Sequence, residues 1–237
     1  HHSGQPGAET KAPVSLTVVI GIPLYGDGKE QTWDCVEKMR WYSAKHGVDT
    51  VRQKTKCCYV HHNRNLIVVA AQESWRAASH ILWIDADAYF EPNLLLRLLA
   101  HKKSIVCTNY YRKGPPHLPV ATQKDRDGVL RPVYRHPDKS GLEKAAGSGL
   151  GATLTRTRVF EKIKFPWFEN QYVDPPPAIA DDPEVKKDLI CGKMLLGEDV
   201  YFFRKAKKAG FNVYCDFSIK IGHIGDYIYD WRDHERN

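Results

Sequence analysis

The stretch His80–Pro92, HILWIDADAYFEP, decides how the rest of the chain is read. Ile81–Ile84 is apolar enough to lie buried in a sheet, yet it runs into two carboxylates, Asp85 and Asp87, with only Ala86 between them. Two unpaired negative charges are costly inside a strand, so the pair belongs at a strand end. There it either faces water, with Asp87 capping the next helix, or grips a cation.

The segments around this stretch set its context. LTVVIGIP (Leu16–Pro23) is a continuous apolar run closed by proline, as expected of a central strand covered on both faces, and YGDG follows it as a loop. From Glu30 to His46, Trp33, Val36, Met39 and Tyr42 recur at helical spacing, with Gly47 as the stop. VRQKTKCCYVHH reads as a second strand. NRNLIVVAAQESWRAAS reads as a helix with Leu66, Ile67, Val69, Ala70 and Trp75 on its apolar stripe. HILWID is then a third strand, EPNLLLRLLAHKK a short helix with Glu91 and Pro92 in its first turn, and SIVCTN a fourth strand. Strands alternating with helices predict an α/β fold with a mostly parallel, Rossmann-like sheet, in which ligands gather at the carboxyl ends of the strands. Asp85 and Asp87 sit at one such end; Tyr25, Gly26 and Asp27 sit at another.

Beyond Asn109 the texture changes. Residues 110–140 are rich in proline and basic residues, which predicts a hairpin or an extended loop. GSGLGATLTRTRVFEKI resumes with a turn, a strand and a short helix, and 166–197 is a second irregular segment. EDVYFFRKAKKAG predicts a helix with acids at its start, lysines near its end and Gly210 as its cap; FNVYCDF and IKIGHIGDYIY are closing strands.

Bulk properties fit one globular domain: 237 residues, 42% hydrophobic and 27% charged. No apolar run is long enough to cross a bilayer, so no membrane insertion and a cytoplasmic location are expected. The polar opening HHSGQPGAETKAP suggests a tag remnant, which sets 1–14 aside as a tail and leaves 15–237 as the domain. Six cysteines fall at irregular spacings, none as Cys-x-x-Cys, a pattern that suits reduced thiols. A net charge of +7 points to an anionic partner: nucleotide, nucleic acid or an acidic surface.

A lone Asp-x-Asp is a weak signal, but it stands here in a series. VIGIPLYG, HHNRN, HILWIDAD, GEDVYFFRKAKKAGF and GHIGDY follow one another in an order that resembles the GT-A glycosyltransferases, closest to compact family-2-like members of bacteriophage type, over roughly 15–229. The resemblance implies a GT-A fold with a smaller antiparallel acceptor-side portion, 15–109 forming a nucleotide-sugar-binding half and 110–237 an acceptor-binding half. It further implies a nucleotide-sugar donor (a UDP-sugar or similar) and a Mn2+ or Mg2+ ion. Asp85 would touch the ribose or the metal, Asp87 would ligate the metal and His223 would add an imidazole; Pro23, Tyr25 and Arg64 would line the nucleoside pocket. Asp199 would be the general base, with Glu198 orienting it or contacting the acceptor. Plainer readings stand beside these. Pro23 could simply end a strand, Arg64 could pair with a loop carboxylate, and acids at a helix start meet its positive dipole end whatever the function.

For the acceptor, the basic segment is the internal clue. Arg112, Lys113, Arg131 and Arg135, with Tyr110, Tyr111 and Tyr134 among them, combine cations for phosphates with rings for stacking. With the phage-type resemblance they suggest a DNA acceptor carrying a hydroxymethylated base; a saccharide, lipid or protein acceptor is the alternative. A haloacid-dehalogenase-like phosphatase would place its Asp-x-Asp on the first strand. A sugar nucleotidyltransferase would carry a glycine-rich loop where this chain has IPLYGDG, and a metal-free DNA-binding module would leave the four acids without a purpose.

Overall fold

The computed structural model describes residues 16–235; the expected tail at 1–14 lies outside the described residues. The first half alternates as the sequence predicts, apart from an added short strand, β4: β1 (Leu16–Leu24), α1 (Glu30–Lys45), β2 (Val48–Lys56), α2 (Val60–Glu73), β3 (His80–Ile84), β4 (Ala88–Phe90), α3 (Leu94–Ala100) and β5 (Ile105–Thr108). The basic segment forms the hairpin β6 (Thr122–Lys124) and β7 (Leu130–Pro132), and β8 (Leu142–Ala145), β9 (Ala152–Arg156) and α4 (Thr157–Lys162) follow. The second irregular segment holds β10 (Gln171–Val173), α5 (Pro183–Lys187) and β11 (Met194–Leu196). The chain then runs through α6 (Glu198–Lys208), β12 (Val213–Asp216), β13 (Ile221–Ile224), β14 (Ile228–Tyr229) and α7 (Trp231–Glu235).

The main sheet has the order β2-β1-β3-β9-β5-β12-β8. Pairings make β2, β1, β3, β5 and β12 run one way, with β9 and β8 opposed. The sheet is thus mostly parallel, and it draws strands from both 15–109 and 110–237. Small antiparallel sheets, β14-β13-β4 and β10-β11, complete the fold.

Side chains alternate across this sheet and each face builds its own core. Val18, Ile20, Ile22, Leu82 and Ile84 pack with Val36 and Met39 of α1 and Leu94 and Leu98 of α3. Val19, Ile81 and Trp83 face the other way, onto Ile67 and Val68 of α2, Phe160 of α4 and Phe202 of α6. Gly47 and Gly210 stop α1 and α6 with φ of 74° and 87°, as expected of helix-ending glycines.

Three local details differ from expectation: α3 starts at Leu94 behind Asn93, so Glu91 and Pro92 precede its first turn. Helix α2 starts at Val60, not at Asn63, and its buried face is Asn63, Arg64, Asn65, Ile67, Val68 and Ala71, leaving Leu66 exposed. An apolar stripe could not reveal this face because half of it is polar, tied by Asn63, Arg64 and Asn65 to Leu24 O, Asp85 and Phe168 O elsewhere in the fold. Further on, β4 pairs antiparallel with β13, so a strand and not a helix follows Asp87. Asp87 is therefore not a helix cap. Among the described residues no helix is long and apolar enough to cross a membrane, and all six cysteines are free, with Cys35, Cys107 and Cys215 buried.

Candidate active site

A cleft of about 640 Å³ opens where β1, β2 and β3 end, and Pro23, Tyr25, Arg64, Asp85, Asp87, Glu198 and His223 all line it. The folding of its floor follows from a few backbone ties. The loop after β1 is fixed to the loop after β3 by Lys29 N–H donating to Ala86 O at 2.8 Å. Asn63 Nδ2 donates to Leu24 O and to Cys57 O, both at 3.0 Å, and so clamps the ends of β1 and β2 together. Tyr25 stands 84% exposed at the rim, free to meet a flat ligand.

Arg64 lies at the bottom of the cleft, its side chain only 3% exposed. Its Nη2 donates to Asp85 Oδ1 at 2.8 Å, its Nε lies 3.5 Å from Glu198 Oε1, and the guanidinium sits 5.7 Å from the Trp83 ring centre. A buried cation needs such carboxylates. Neither Nη1 nor Nε has a hydrogen-bond partner among the described residues, so Glu198 meets the guanidinium as an ion pair. Asp85 is held in turn by its N–H donating to Gly151 O at 3.0 Å. The turn before β9 can come this near only because Gly149 and Gly151 carry no side chain: a Cβ on Gly149 would stand 1.9 Å from Tyr110 Oη, whose oxygen accepts from Gly151 N–H at 3.2 Å.

Asp87 meets two partners on one oxygen. Lys113 Nζ lies 2.5 Å from Oδ2 and His223 Nε2 lies 3.3 Å from the same atom. Burial pushes the Asp87 carboxyl up, but hydrogen bonds and charges from His223 and Lys113 outweigh it and hold it at about 2. Strand pairing of β4 with β13 sets His223 opposite Ala88, and Gly222 lets both neighbours of β13 come close, since a Cβ there would lie 2.3 Å from Ile228 Cγ2 of β14 and 3.3 Å from Tyr89 Cβ of β4.

His223 is oriented as a metal-binding imidazole would be. Its Nδ1 contacts Tyr111 O at 3.1 Å, and a carbonyl only accepts, so Nδ1 carries a proton. Nε2 faces the Asp87 carboxylate, and a proton on it donates there; a divalent ion seated between the two would take that proton's place and use the Nε2 lone pair. A cavity of about 10 Å³, bounded in part by Asp85, Asp87, Tyr110 and His223, adjoins them and has room for roughly one water-sized occupant. Asp87 and His223 thus fit a divalent ion with oxygen and nitrogen donors. Asp85 differs, because Arg64 engages one of its oxygens, and no group of three His, Cys, Asp or Glu side chains stands ready for a metal among the described residues.

The acidic pair at the start of α6 divides. Glu198 lines the cleft, whereas Asp199 lies outside its lining. Burial pushes Asp199 up to about 6, with the neighbouring charges of Glu198 and Asp85 adding to the rise and the Val200 N–H and Arg64 opposing it.

The basic segment does not form one cationic surface. Lys113 is on Asp87, Arg131 Nε donates to Asp125 at 2.9 Å and Arg135 Nε to Glu143 at 3.0 Å, while Arg112 is exposed. Tyr110 and Tyr111 are buried at 8% and 3% exposure, so they are not stacking platforms, and Tyr134 donates to Glu235. Proximity in sequence grouped these side chains; the hairpin β6–β7 and the strand β8 separate them by supplying local carboxylates.

Sequence reasoning passed over Asn63, Lys29 and Tyr110 as parts of the site and gave Lys113 a different place. HHNRN did signal Arg64 by its motif position, but nothing local marks Tyr110, whose role depends on glycines forty residues away.

No protein-family model matches the chain, and no curated protein matches it. Solved structures do. A197 from STIV is 21% identical over 89% of this chain and 86% of its own, with a TM-score of 0.54. The catalytic domain of Drosophila beta-1,4-galactosyltransferase 7, solved in complex with xylobiose, is 17% identical over 91% of this chain and 75% of its own, with a TM-score of 0.50. Identities this low speak for architecture alone, and the architecture is that of a compact GT-A fold: a mostly parallel central sheet between two helical layers, with small antiparallel sheets at its side.

Proposed function

We propose that the chain moves a sugar from a nucleotide-sugar donor to a hydroxyl group on an acceptor. One observation carries this reading: side chains from five separate segments, Pro23 with Tyr25, Arg64, Asp85 with Asp87, Glu198 and His223, share one cleft at the strand ends. In a sheet of this kind that is where ligands bind. The shared architecture with a galactosyltransferase domain supports it.

Pro23 and Tyr25 flank the nucleoside. Arg64 sets a buried positive charge under the position of the donor diphosphate and keeps Asp85 in place. Asp87 and His223 would hold the divalent ion, with Asp85 beside them. Such an ion, when bound, supplies charge stabilisation for the departing diphosphate. Asp199, beside Glu198 and outside the lining of the cleft, would take the proton of the incoming hydroxyl; a carboxyl raised to about 6 suits that task near neutral pH better than an ordinary one. Glu198 faces the cleft and braces Arg64.

For the acceptor we propose no more than a hydroxyl. A hydroxymethylated base in DNA is the narrower reading, and it rests on the basic segment. Three of the four cations it counts on are already paired, Lys113 with Asp87, Arg131 with Asp125 and Arg135 with Glu143. Each would have to exchange a carboxylate for a phosphate.

The test is a screen of nucleotide-sugars with Mn2+ for release of free sugar, repeated with hydroxymethylated DNA and with short saccharides. Release from at least one donor, lost in Asp87→Asn, is expected. If no donor is turned over and no nucleoside diphosphate raises the melting temperature, the reading is wrong.

A further inference from the structure

Lys113 occupies an unexpected place. It projects from a turn closed by Arg112 N–H donating to Leu118 O at 3.1 Å, and its ammonium rests on the carboxylate oxygen that also faces His223. We propose that Lys113 is a resident counter-ion of the cation seat. It neutralises Asp87 while no divalent ion is bound and must leave for one to bind. This rests on the metal-holding role given above to Asp87 and His223.

Charge and room at the seat set the terms of binding. Asp85, Asp87 and Glu198 bring three carboxylates to this part of the cleft; Arg64 and Lys113 bring two cations. A divalent ion therefore meets a single net negative charge. It must also take a lone pair on Asp87 Oδ2 that an ammonium 2.5 Å away already uses, and two cations on one oxygen repel strongly. Arg64 cannot yield, because its own side chain is buried, at 3% exposure, and tied to Asp85. Lys113 can: its side chain is 36% exposed, and it reaches the seat from solvent. Two consequences follow. The bare enzyme binds the ion weakly, and an anionic nucleoside diphosphate, arriving with the ion, restores the balance and allows both to bind together. The turn around residues 112–118 then carries Lys113 away, and its release is coupled to loading of the site.

Titration of Mn2+ followed by electron paramagnetic resonance tests this without any turnover. In the absence of nucleotide, Lys113→Met should bind Mn2+ at least about tenfold more tightly than the parent chain, since one positive charge has left the seat. Lys113→Arg, which keeps the charge, should bind as weakly as the parent. Added UDP should tighten binding far more in the parent than in Lys113→Met. Amine acetylation read by mass spectrometry gives a second measure: Lys113 should label faster once Mn2+ and UDP are present. Equal or weaker Mn2+ binding by Lys113→Met, or a labelling rate unchanged at saturation, overturns the counter-ion role and leaves the transferase reading standing. Absence of Mn2+ binding by every variant, with or without UDP, overturns the metal role of Asp87 and His223 and this inference with it.

Discussion

Replacing Asp199 with asparagine should remove activity and, at alkaline pH, make the protein more stable. Asp199 rises from the ordinary 3.8 to about 6, first because burial opposes its charge and then because Glu198 lies next to it. A carboxyl easier to protonate in the folded chain than in the unfolded one favours folding at low pH. Its contribution is whole below 3.8 and is lost as pH climbs through about 6. At about 1.4 kcal/mol per pKa unit, ionised Asp199 costs the fold about 3 kcal/mol above neutral pH and about half of that at pH 5. The residue keeps some solvent exposure, so these figures are ceilings. Asparagine matches the shape, keeps an oxygen for the Val200 N–H that now donates at 2.6 Å, and carries no charge. Urea denaturation of the parent and Asp199→Asn at pH 5 and pH 8 should show the variant gaining stability, with the gain roughly doubling between the two. A variant less stable than the parent at pH 8, or a difference that does not grow with pH, would show that Asp199 is not held above its ordinary range and would remove the physical basis for its role as base.

The same shift sets the pH profile: donor-dependent transfer should fall on the acid side of about 6, as Asp199 takes up its proton, and a rate flat from pH 5 to 8 would point to another base. Arg64→Met should cost about 3 kcal/mol in urea denaturation, because Asp85 and Glu198 lose the buried cation between them; a loss under about 1 kcal/mol would mean the pairing is not formed. Gly149→Ala puts a methyl 1.9 Å from Tyr110 Oη, so Tyr110 must move away from Gly151 and Asp85. Nucleoside diphosphate binding measured by calorimetry should weaken, with about 1–3 kcal/mol of stability lost, and unchanged binding would show that Tyr110 does not brace the site.

Several features of the site were legible before folding because they depend on local pattern. An apolar run that ends in Asp-x-Asp has to place its acids at a strand end, and that holds for Asp85 and Asp87. Pro23 and Tyr25, at the end of another such run, reach the same cleft for the same reason. Helix α2 was misplaced by three residues because its buried face includes Asn63 and Arg64, which periodicity counts as polar and therefore exposed.

By itself the sequence determined the alternation of strands and helices, and with it the sheet, since burial of apolar side chains at a period of two or near 3.6 is a property of neighbours along the chain. It also placed Asp85 and Asp87 at a strand end and Glu198 and Asp199 at a helix start. Only the tertiary structure decided which charge meets which. Lys113 reaches Asp87 across 26 residues and Arg64 reaches Asp85 across 21, through turns whose paths no periodicity encodes. Long-range ion pairs depend on where loops bring their side chains, and in a basic segment that reads as one binding surface Lys113, Arg131 and Arg135 each meet a different carboxylate once folded, while Arg112 stays exposed.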